Sequence, residues 1–384
     1  MKVIVHRQAL VEVLGLACSV VLTRSPKPVL SCVRISTATV GGSRVLRIVA
    51  TDLEITIETS LSQVDIKQDG IALLPAHKLL DIVNNSPDEN LALDVVGEKA
   101  TILGADSMFT LLGFNSEDFP PVSGFEGAPD CTLSAGLLKT MLDRTRFAAA
   151  KEMTRYAMNG VLFERKGKKL SMVATDGHRL AQARDEIELA DERESESIIP
   201  IKAINMLERL LVDPEQTVQL QFREGKLFAQ LISKAAGEKT PNAEGLITAS
   251  LSASLVEGNF PPYKDVIPKD CDHKASINRD KFRSAVQRAA LLTNEESKSI
   301  RLSFGNKNLT ITGRAPEMGE AKVEMPIDYT SETMDVGFNP IYLQDALKVA
   351  PTEEITFELR APNKPGLIKS GQGFLYVIMP VSLP

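Results

Sequence analysis

The chain repeats itself three times, and that self-similarity restricts its fold more than any other property. Each third opens with an amphipathic helical segment, residues 6–21 (HRQALVEVLGLACSVV), 134–149 (SAGLLKTMLDRTRFAA) and 278–293 (NRDKFRSAVQRAALLT). In the second, Leu137, Leu138, Met141 and Leu142 share one helical face while Lys139, Arg144 and Arg146 lie elsewhere, the pattern of a surface helix with one buried stripe. A strand and turn come next: LRIVATDLEITIE (46–58), LSMVATDGHRLAQAR (170–184) and LTITGRAPEMGEAKVE (309–324). Thr51-Asp52 and Thr175-Asp176 are 124 residues apart. After the first, Leu53, Ile55 and Ile57 alternate with Glu54, Thr56 and Glu58, the period of a half-buried strand. The third shared feature is a short strand passing through proline into a helix: residues 73–85, 198–211 and 337–350. Pro75, Pro200 and Pro340 take the matching place, which suits the first turn of a helix.

Short alternating runs (91–96, 100–105, 108–114, 217–222, 355–359 and 375–381) complete each third as two helices and about eight strands. Strands outnumber helices without strict alternation, so the fold class is α+β rather than a doubly wound parallel sheet. A length of 384 residues accommodates three such domains. Proline clusters at FPPV (119–122), FPPY (260–263) and VIPKDCD (266–272) set the boundaries near 128 and 271, giving domains 1–128, 129–271 and 272–384. The polar segment 234–249 interrupts a hairpin between 227–233 and 250–255 and reads as a loop insertion of roughly ten to fifteen residues.

With 43% hydrophobic and 24% charged residues the chain can bury real cores. A net charge of −6 argues against generic nucleic-acid binding, because phosphate affinity needs clustered Lys and Arg. The basic residues are unevenly placed, however. Arg7, Lys78, Lys139, Arg144, Arg146, Lys202, Arg209, Lys281, Arg283 and Arg288 lie on the helical segments, with Arg24, Lys151 and Arg155 just beyond helix ends. Repeated over three copies, this pattern implies one basic surface in an acidic protein. Cys18, Cys32, Cys131 and Cys271 form no CxxC pair and read as buried thiols of a reducing compartment. His6, His77, His178 and His273 show no metal spacing, so no metal or cofactor is expected. No run of about 18 apolar residues predicts a membrane helix, and the signal-like stretch 13–22 belongs to the first repeat helix.

A catalytic interpretation would centre on Asp176-Gly177-His178-Arg179, a histidine beside a carboxylate. Asp and Gly are turn formers first, no nucleophile elbow accompanies them, and the first copy carries Asp52-Leu53-Glu54 instead. A turn or ligand contact is therefore favoured over hydrolysis. Absence of Trp and 5% aromatic content weigh against a stacking platform for single strands.

RYAMNGVLFE (155–164), ATDGHRLA (174–181), LVEGNFPPY (255–263), VGFNPIYLQDAL (336–347) and YVIMPV (376–381) resemble signature segments of the bacterial DNA polymerase sliding clamps, the beta subunits of polymerase III. The resemblance covers essentially the whole chain, with five motifs in order. It implies three tandem clamp domains, each of two helices packed on antiparallel sheets, closing head to tail as a homodimeric ring. It also implies a non-catalytic, cytoplasmic processivity subunit that encircles double-stranded DNA without sequence specificity. The matching DNA-facing positions are Arg24, His77, Arg155, Tyr156 and Lys202, while Glu152 and Ala157 depart from the family's amide and aromatic. A pocket for short clamp-binding peptides of the polymerase III alpha subunit, the clamp loader delta subunit, other polymerases and repair proteins would comprise Met158, Thr175, Gly177, His178, Arg179, Leu180, Pro261, Val266, Asn339, Tyr342, Val377, Met379 and Pro380. Apolar walls with adaptable Met suit such a groove, and the Val381–Pro384 tail departs from relatives at its edge. The implied dimer contact sets Phe109 and Leu111 against Leu291 and Leu292, with Glu295 and Glu296 nearby. The alternatives are a repeat scaffold that never encloses DNA and, last, a hydrolase using Asp176 and His178.

Overall fold

The computed structural model describes residues 1–40, 42–152, 157–187, 189–190, 194–233, 246–293, 299–305 and 307–383. The first third runs β1 (Lys2–His6), α1 (Arg7–Cys18), β2 (Cys32–Val40), β3 (Ser43–Thr51), β4 (Ile55–Leu61), β5 (Val64–Gln68), β6 (Ile71–Pro75), α2 (Ala76–Asn85), β7 (Asn90–Val96), β8 (Lys99–Leu103) and β9 (Met108–Leu112). The middle third repeats that order as β10 (Cys131–Ser134), α3 (Ala135–Asp143), β11 (Gly160–Lys166), β12 (Lys169–Thr175), β13 (Arg179–Glu186), β14 (Leu189–Ala190), β15 (Glu194–Pro200), α4 (Ile201–Leu210), β16 (Thr217–Arg223), β17 (Lys226–Ser233) and β18 (Leu246–Ser254). The last third does so again: β19 (His273–Asn278), α5 (Arg279–Ala289), β20 (Ile300–Gly305), β21 (Asn308–Ala315), β22 (Gly319–Pro326), β23 (Asp328–Tyr329), β24 (Met334–Phe338), α6 (Pro340–Val349), β25 (Glu354–Leu359), β26 (Gly366–Ser370) and β27 (Phe374–Ile378).

Each third thus holds nine described strands rather than eight. The additional one is β5, β14 or β23, which is only two residues long in the second and third copies. Two helix expectations shorten. α1 stops before the β-branched pair Val20-Val21, and α3 stops at Asp143, where the Thr145 hydroxyl donates to the Met141 carbonyl at 2.8 Å and bends the chain away. The prolines are also offset by one position. Pro75 precedes α2 and Pro200 precedes α4, whereas Pro340 is the first residue of α6 behind an Asn339 cap. The hairpin of the middle third closes from Ser233 to Leu246, so residues 246–249 of the expected insertion are strand. Its remainder lies outside the described residues.

The chain packs as two compact units. The first comprises Met1–Leu138, Glu188–Asp191 and Lys202–Leu255; the second comprises Lys139–Ile187, Glu192–Ile201 and Val256–Pro384. In the first unit one sheet has the order β5-β1-β7-β8-β9, and a nine-stranded sheet runs β14-β10-β16-β17-β18-β4-β3-β2-β6. In the second a nine-stranded sheet runs β15-β11-β12-β13-β27-β26-β25-β19-β23, beside a four-stranded sheet β22-β21-β20-β24. Both long sheets are made the same way. The ninth strand of one repeat pairs antiparallel with the fourth strand of the repeat before it: β18 with β4 (Leu251 opposite Ile57), and β27 with β13 (Val377 opposite Leu180).

Burial follows the periods read from the sequence. α1 buries Leu10, Leu14 and Ala17, α2 buries Ala76, Leu79 and Val83, and α5 buries Phe282, Ala285, Val286 and Ala289. Each fully buried Leu, Val or Phe contributes about 1.5–3 kcal/mol. The α1 and α5 N-termini are capped by His6 Nδ1 and Asn278 Oδ1, which accept the amides of Ala9 and Lys281.

Candidate functional site

Strand β12 ends in Thr175, and the next four residues form a turn written into their side chains. The Thr175 hydroxyl donates to the Arg179 carbonyl at 2.7 Å and accepts the Gly177 amide at 3.2 Å. Asp176 Oδ1 accepts the amides of His178 and Arg179, each at 3.0 Å, and Gly177 supplies the φ of 87° that the turn requires. Asp176 is thus a turn-forming acceptor, and among the described residues its carboxylate makes no hydrogen bond to the His178 ring. The turn holds Arg179 with its side chain only 9% exposed. Nε donates to Asp176 Oδ2 at 3.0 Å, Nη1 to Asp345 Oδ2 at 2.5 Å and Nη2 to the Phe147 carbonyl at 2.8 Å. The guanidinium also stacks 4.4 Å above the Tyr342 ring. Burial works against its charge, but the Asp345 hydrogen bond and the neighbouring carboxylates outweigh that and raise its pKa.

The turn borders a cavity of about 270 Å³ lined by Met158, Thr175, Gly177, Arg179, Leu180, Pro261, Tyr263, Val266, Val377 and Met379. Leu180 and Val377, directly opposite each other on β13 and β27, belong to the buried cluster beneath it with Ala157, Leu162, Val173, Ile198, Tyr263 and Leu367. Val266 and Met379 stand at the mouth, 49% and 40% exposed. The Met379 amide donates to the His178 carbonyl at 2.9 Å, so the segment after β27 is tied to the turn.

Nine of the expected pocket residues line this cavity, and four do not. His178 is exposed beside it. The Asn339 side chain is taken up capping α6, accepting the Ile341 amide at 2.9 Å. Tyr342 serves the Arg179 stack, and its carbonyl accepts the Tyr376 hydroxyl. Pro380 lies just past the lining, followed by a tail whose Val381 amide donates to the Gly337 carbonyl at 2.9 Å. Tyr263 is the lining residue that sequence reasoning missed. The signal was present in FPPY, where an aromatic closes the proline turn that contributes Pro261.

Three family models cover the chain in tandem: the N-terminal domain of the DNA polymerase III beta subunit over residues 1–123, the central domain over 132–262 and the C-terminal domain over 264–382. The chain belongs to the DNA polymerase III beta subunit family, the beta sliding clamps. A beta sliding clamp of Pseudomonas putida is 34% identical over 382 residues, 99% of each chain, and one of Chlamydia pneumoniae is 31% identical over 100% and 99%. Among solved structures, a Pseudomonas aeruginosa sliding clamp bound to griselimycin superposes over both full chains with a TM-score of 0.90 at 32% identity. The Bacillus subtilis polymerase sliding clamp does so with a TM-score of 0.90 at 25% identity. The protein is therefore a three-domain α+β DNA sliding clamp of the polymerase III system, a processivity subunit that is not itself catalytic.

The remaining expected contacts are scattered. Arg24 is exposed in the loop after α1, and His77 is half-buried at the start of α2 with its Nε2 unpartnered. Lys202 is half-exposed, but its ammonium pairs with the buried carboxylate of Asp52. Arg155 and Tyr156 lie outside the described residues, as do Glu295 and Glu296. Phe109 (40% exposed) and half-buried Leu111 lie on β9, an edge strand of its sheet; Leu291 is 75% exposed after α5, and Leu292 is half-buried.

Among the described residues no cluster of His, Cys, Asp and Glu forms a metal site, and no helix is long and apolar enough to cross a membrane. Burial pushes the Cys18 and Cys32 thiols up to about 11.

Proposed function

We propose that two copies of the chain close head to tail into a ring that encircles duplex DNA in the bacterial cytoplasm, with domain boundaries near 128 and 271. The observation carrying this is the strand pairing. A ninth strand joins the fourth strand of the preceding repeat at both junctions within the chain. The pattern leaves one ninth strand, β9, and one fourth strand, β22, as sheet edges. The β9 edge exposes Met108, Phe109 and Leu112, an aggregation liability unless it is paired. A second copy satisfies both edges twice, bringing Phe109 and Leu111 toward the Leu291-Leu292 end of α5. The basic helix residues other than Arg144 and Lys202, together with Arg24, then serve the duplex through phosphate contacts that carry no sequence information, weak enough to permit sliding. Protein loaded on a nicked circle is expected to stay bound at moderate salt and to run off once the circle is linearised; equal loss from both would end the proposal.

The cavity beside the Thr175–Arg179 turn serves as the docking pocket for short peptides of the polymerase III alpha subunit, the clamp loader delta subunit and other replication and repair proteins. Its apolar walls, two Met side chains and enclosed floor support this use. Met379→Asp, at the exposed mouth of the pocket, is expected to abolish binding of such a peptide, read by fluorescence anisotropy, with the dimer intact by light scattering.

A further inference from the structure

We infer that the pocket continues into a polar cleft on the same face of the sheet, and that this cleft receives an acidic flank of the partner peptide. The inference rests on the peptide-pocket assignment and names what recognises the residues beside the apolar anchor. Strand register sets up the juxtaposition. On β11, β12 and β13, Leu162 lies opposite Val173 and Val173 opposite Gln182; two residues along, Glu164 lies opposite Ser171 and Ser171 opposite Arg184. A further two residues along, Lys166 lies opposite Lys169 and Lys169 opposite Glu186. Because side chains alternate between faces with period two, all of these share one surface, apolar toward the pocket and charged at the far end.

Tyr263 bridges the change in character. Its ring belongs to the buried cluster with Leu162, Val173, Leu180 and Val377 and lines the pocket. Its hydroxyl donates to Glu164 Oε2 and accepts Gln182 Nε2 at 3.4 Å. Beyond it lies a cleft of about 690 Å³ also lined by Tyr263. The cleft carries five cations, Arg144, Lys166, Lys169, Arg184 and Lys264, against the carboxylates of Glu164, Asp185 and Glu186. Lys166 is held by Glu194 and Lys264 by Glu164, each at 3.0 Å. Arg144, Lys169 and Arg184 make no ion pair among the described residues; set against Asp185 and Glu186, they leave the cleft with an excess of positive charge in a chain of net charge −6.

A second feature points to a ligand. Gln182 is 1% exposed, and its amide nitrogen donates to Ser171 Oγ at 3.0 Å as well as to Tyr263, while its Oε1 has no partner. A buried acceptor left unpaired is costly; a peptide N–H laid along the cleft would supply the missing donor. Carboxylates on the same segment would meet Lys169 and Arg184.

Anisotropy with the full-length protein tests this. One labelled peptide carries two adjacent large apolar residues between neutral flanks, a second carries Asp-Glu before them, and a third carries Asp-Glu after them. One acidic peptide, but not both, is expected to bind about five- to tenfold tighter than the neutral one at low salt, with the gain lost in 0.5 M salt (about a 4 Å screening length). Lys169→Glu with Arg184→Glu should remove the gain while leaving the affinity of the neutral peptide unchanged. Should that variant lose its cooperative thermal transition, Lys169→Gln with Arg184→Gln makes the same distinction. Tight binding of the neutral peptide with no gain from either acidic flank, or a gain that persists in the double variant, overturns the cleft and leaves the pocket standing. Failure of the neutral peptide to bind removes the pocket assignment and the inference with it.

Discussion

Thr51–Ile55 and Thr175–Arg179 are the same turn put to different uses. In both, the Thr hydroxyl donates to the carbonyl four residues on, the Asp carboxylate accepts two successive amides, and the third residue has positive φ: 80° at Leu53 and 87° at Gly177. The difference lies in what answers the second Asp oxygen. Asp52 is held from elsewhere in its unit by Lys202, and the fifth residue, Ile55, is simply buried. Asp176 is held by the fifth residue of its own turn, Arg179, which also reaches Asp345 and Phe147. The proline clusters that follow differ in the same sense. Phe119 is 6% exposed and packs on Cys32, Val49 and Leu73 under the Arg34 guanidinium, whereas Phe260 is only partly buried and Tyr263 forms a pocket wall. Thr-Asp builds the backbone; positions three and five decide whether the turn frames a site.

Position five separates the two turns most sharply. Arg179→Ala leaves Asp176 and Asp345 without their cation and is expected to cost about 3 kcal/mol in denaturant unfolding and to remove peptide binding. Ile55→Ala should cost about 2–4 kcal/mol with peptide binding retained. Lys202→Ala strips the ion pair from a buried carboxylate, an expected loss of about 1–2 kcal/mol in thermal unfolding; if Lys202 instead serves DNA alone, stability will not move. Met379→Ala at the pocket mouth should weaken peptide affinity about tenfold, the loss of part of a buried apolar contact, without shifting the melting temperature. At position three the expected signs are opposite: Gly177→Ala destabilises by about 1–2 kcal/mol because φ is positive, whereas Leu53→Gly is neutral or stabilising by up to about 1 kcal/mol. A loss of stability in Leu53→Gly would show that the exposed Leu53 side chain makes a contact worth more than its backbone strain.

Much of the pocket was legible because its parts lie in short motifs. ATDGHRLA supplies the turn and one wall, FPPY the proline wall, and YVIMPV the strand paired to β13. Asn339 and Tyr342 sit in an equally recognisable motif, yet the cavity does not include them, since an Asn ahead of a helix-starting Pro is drawn into capping and Tyr342 into the Arg179 stack. Asn339 was readable as a cap from its place before Pro340. The partners of Arg179 were not readable, being 166 residues away at Asp345 and 32 away at Phe147.

By itself the sequence determined the threefold repeat, the α+β class, the helix and strand faces and the Thr-Asp turns, because each depends on period, spacing or hydrogen bonds within a few residues. Tertiary structure decided the rest. It determined that sheets run on from one repeat into the next, leaving β9 and β22 as edges, that Lys202 is spent on Asp52, and that a charged cleft extends the pocket past Tyr263. These depend on which strand edges and charges meet across a hundred residues or more, and alternation along one strand carries no information about its partner.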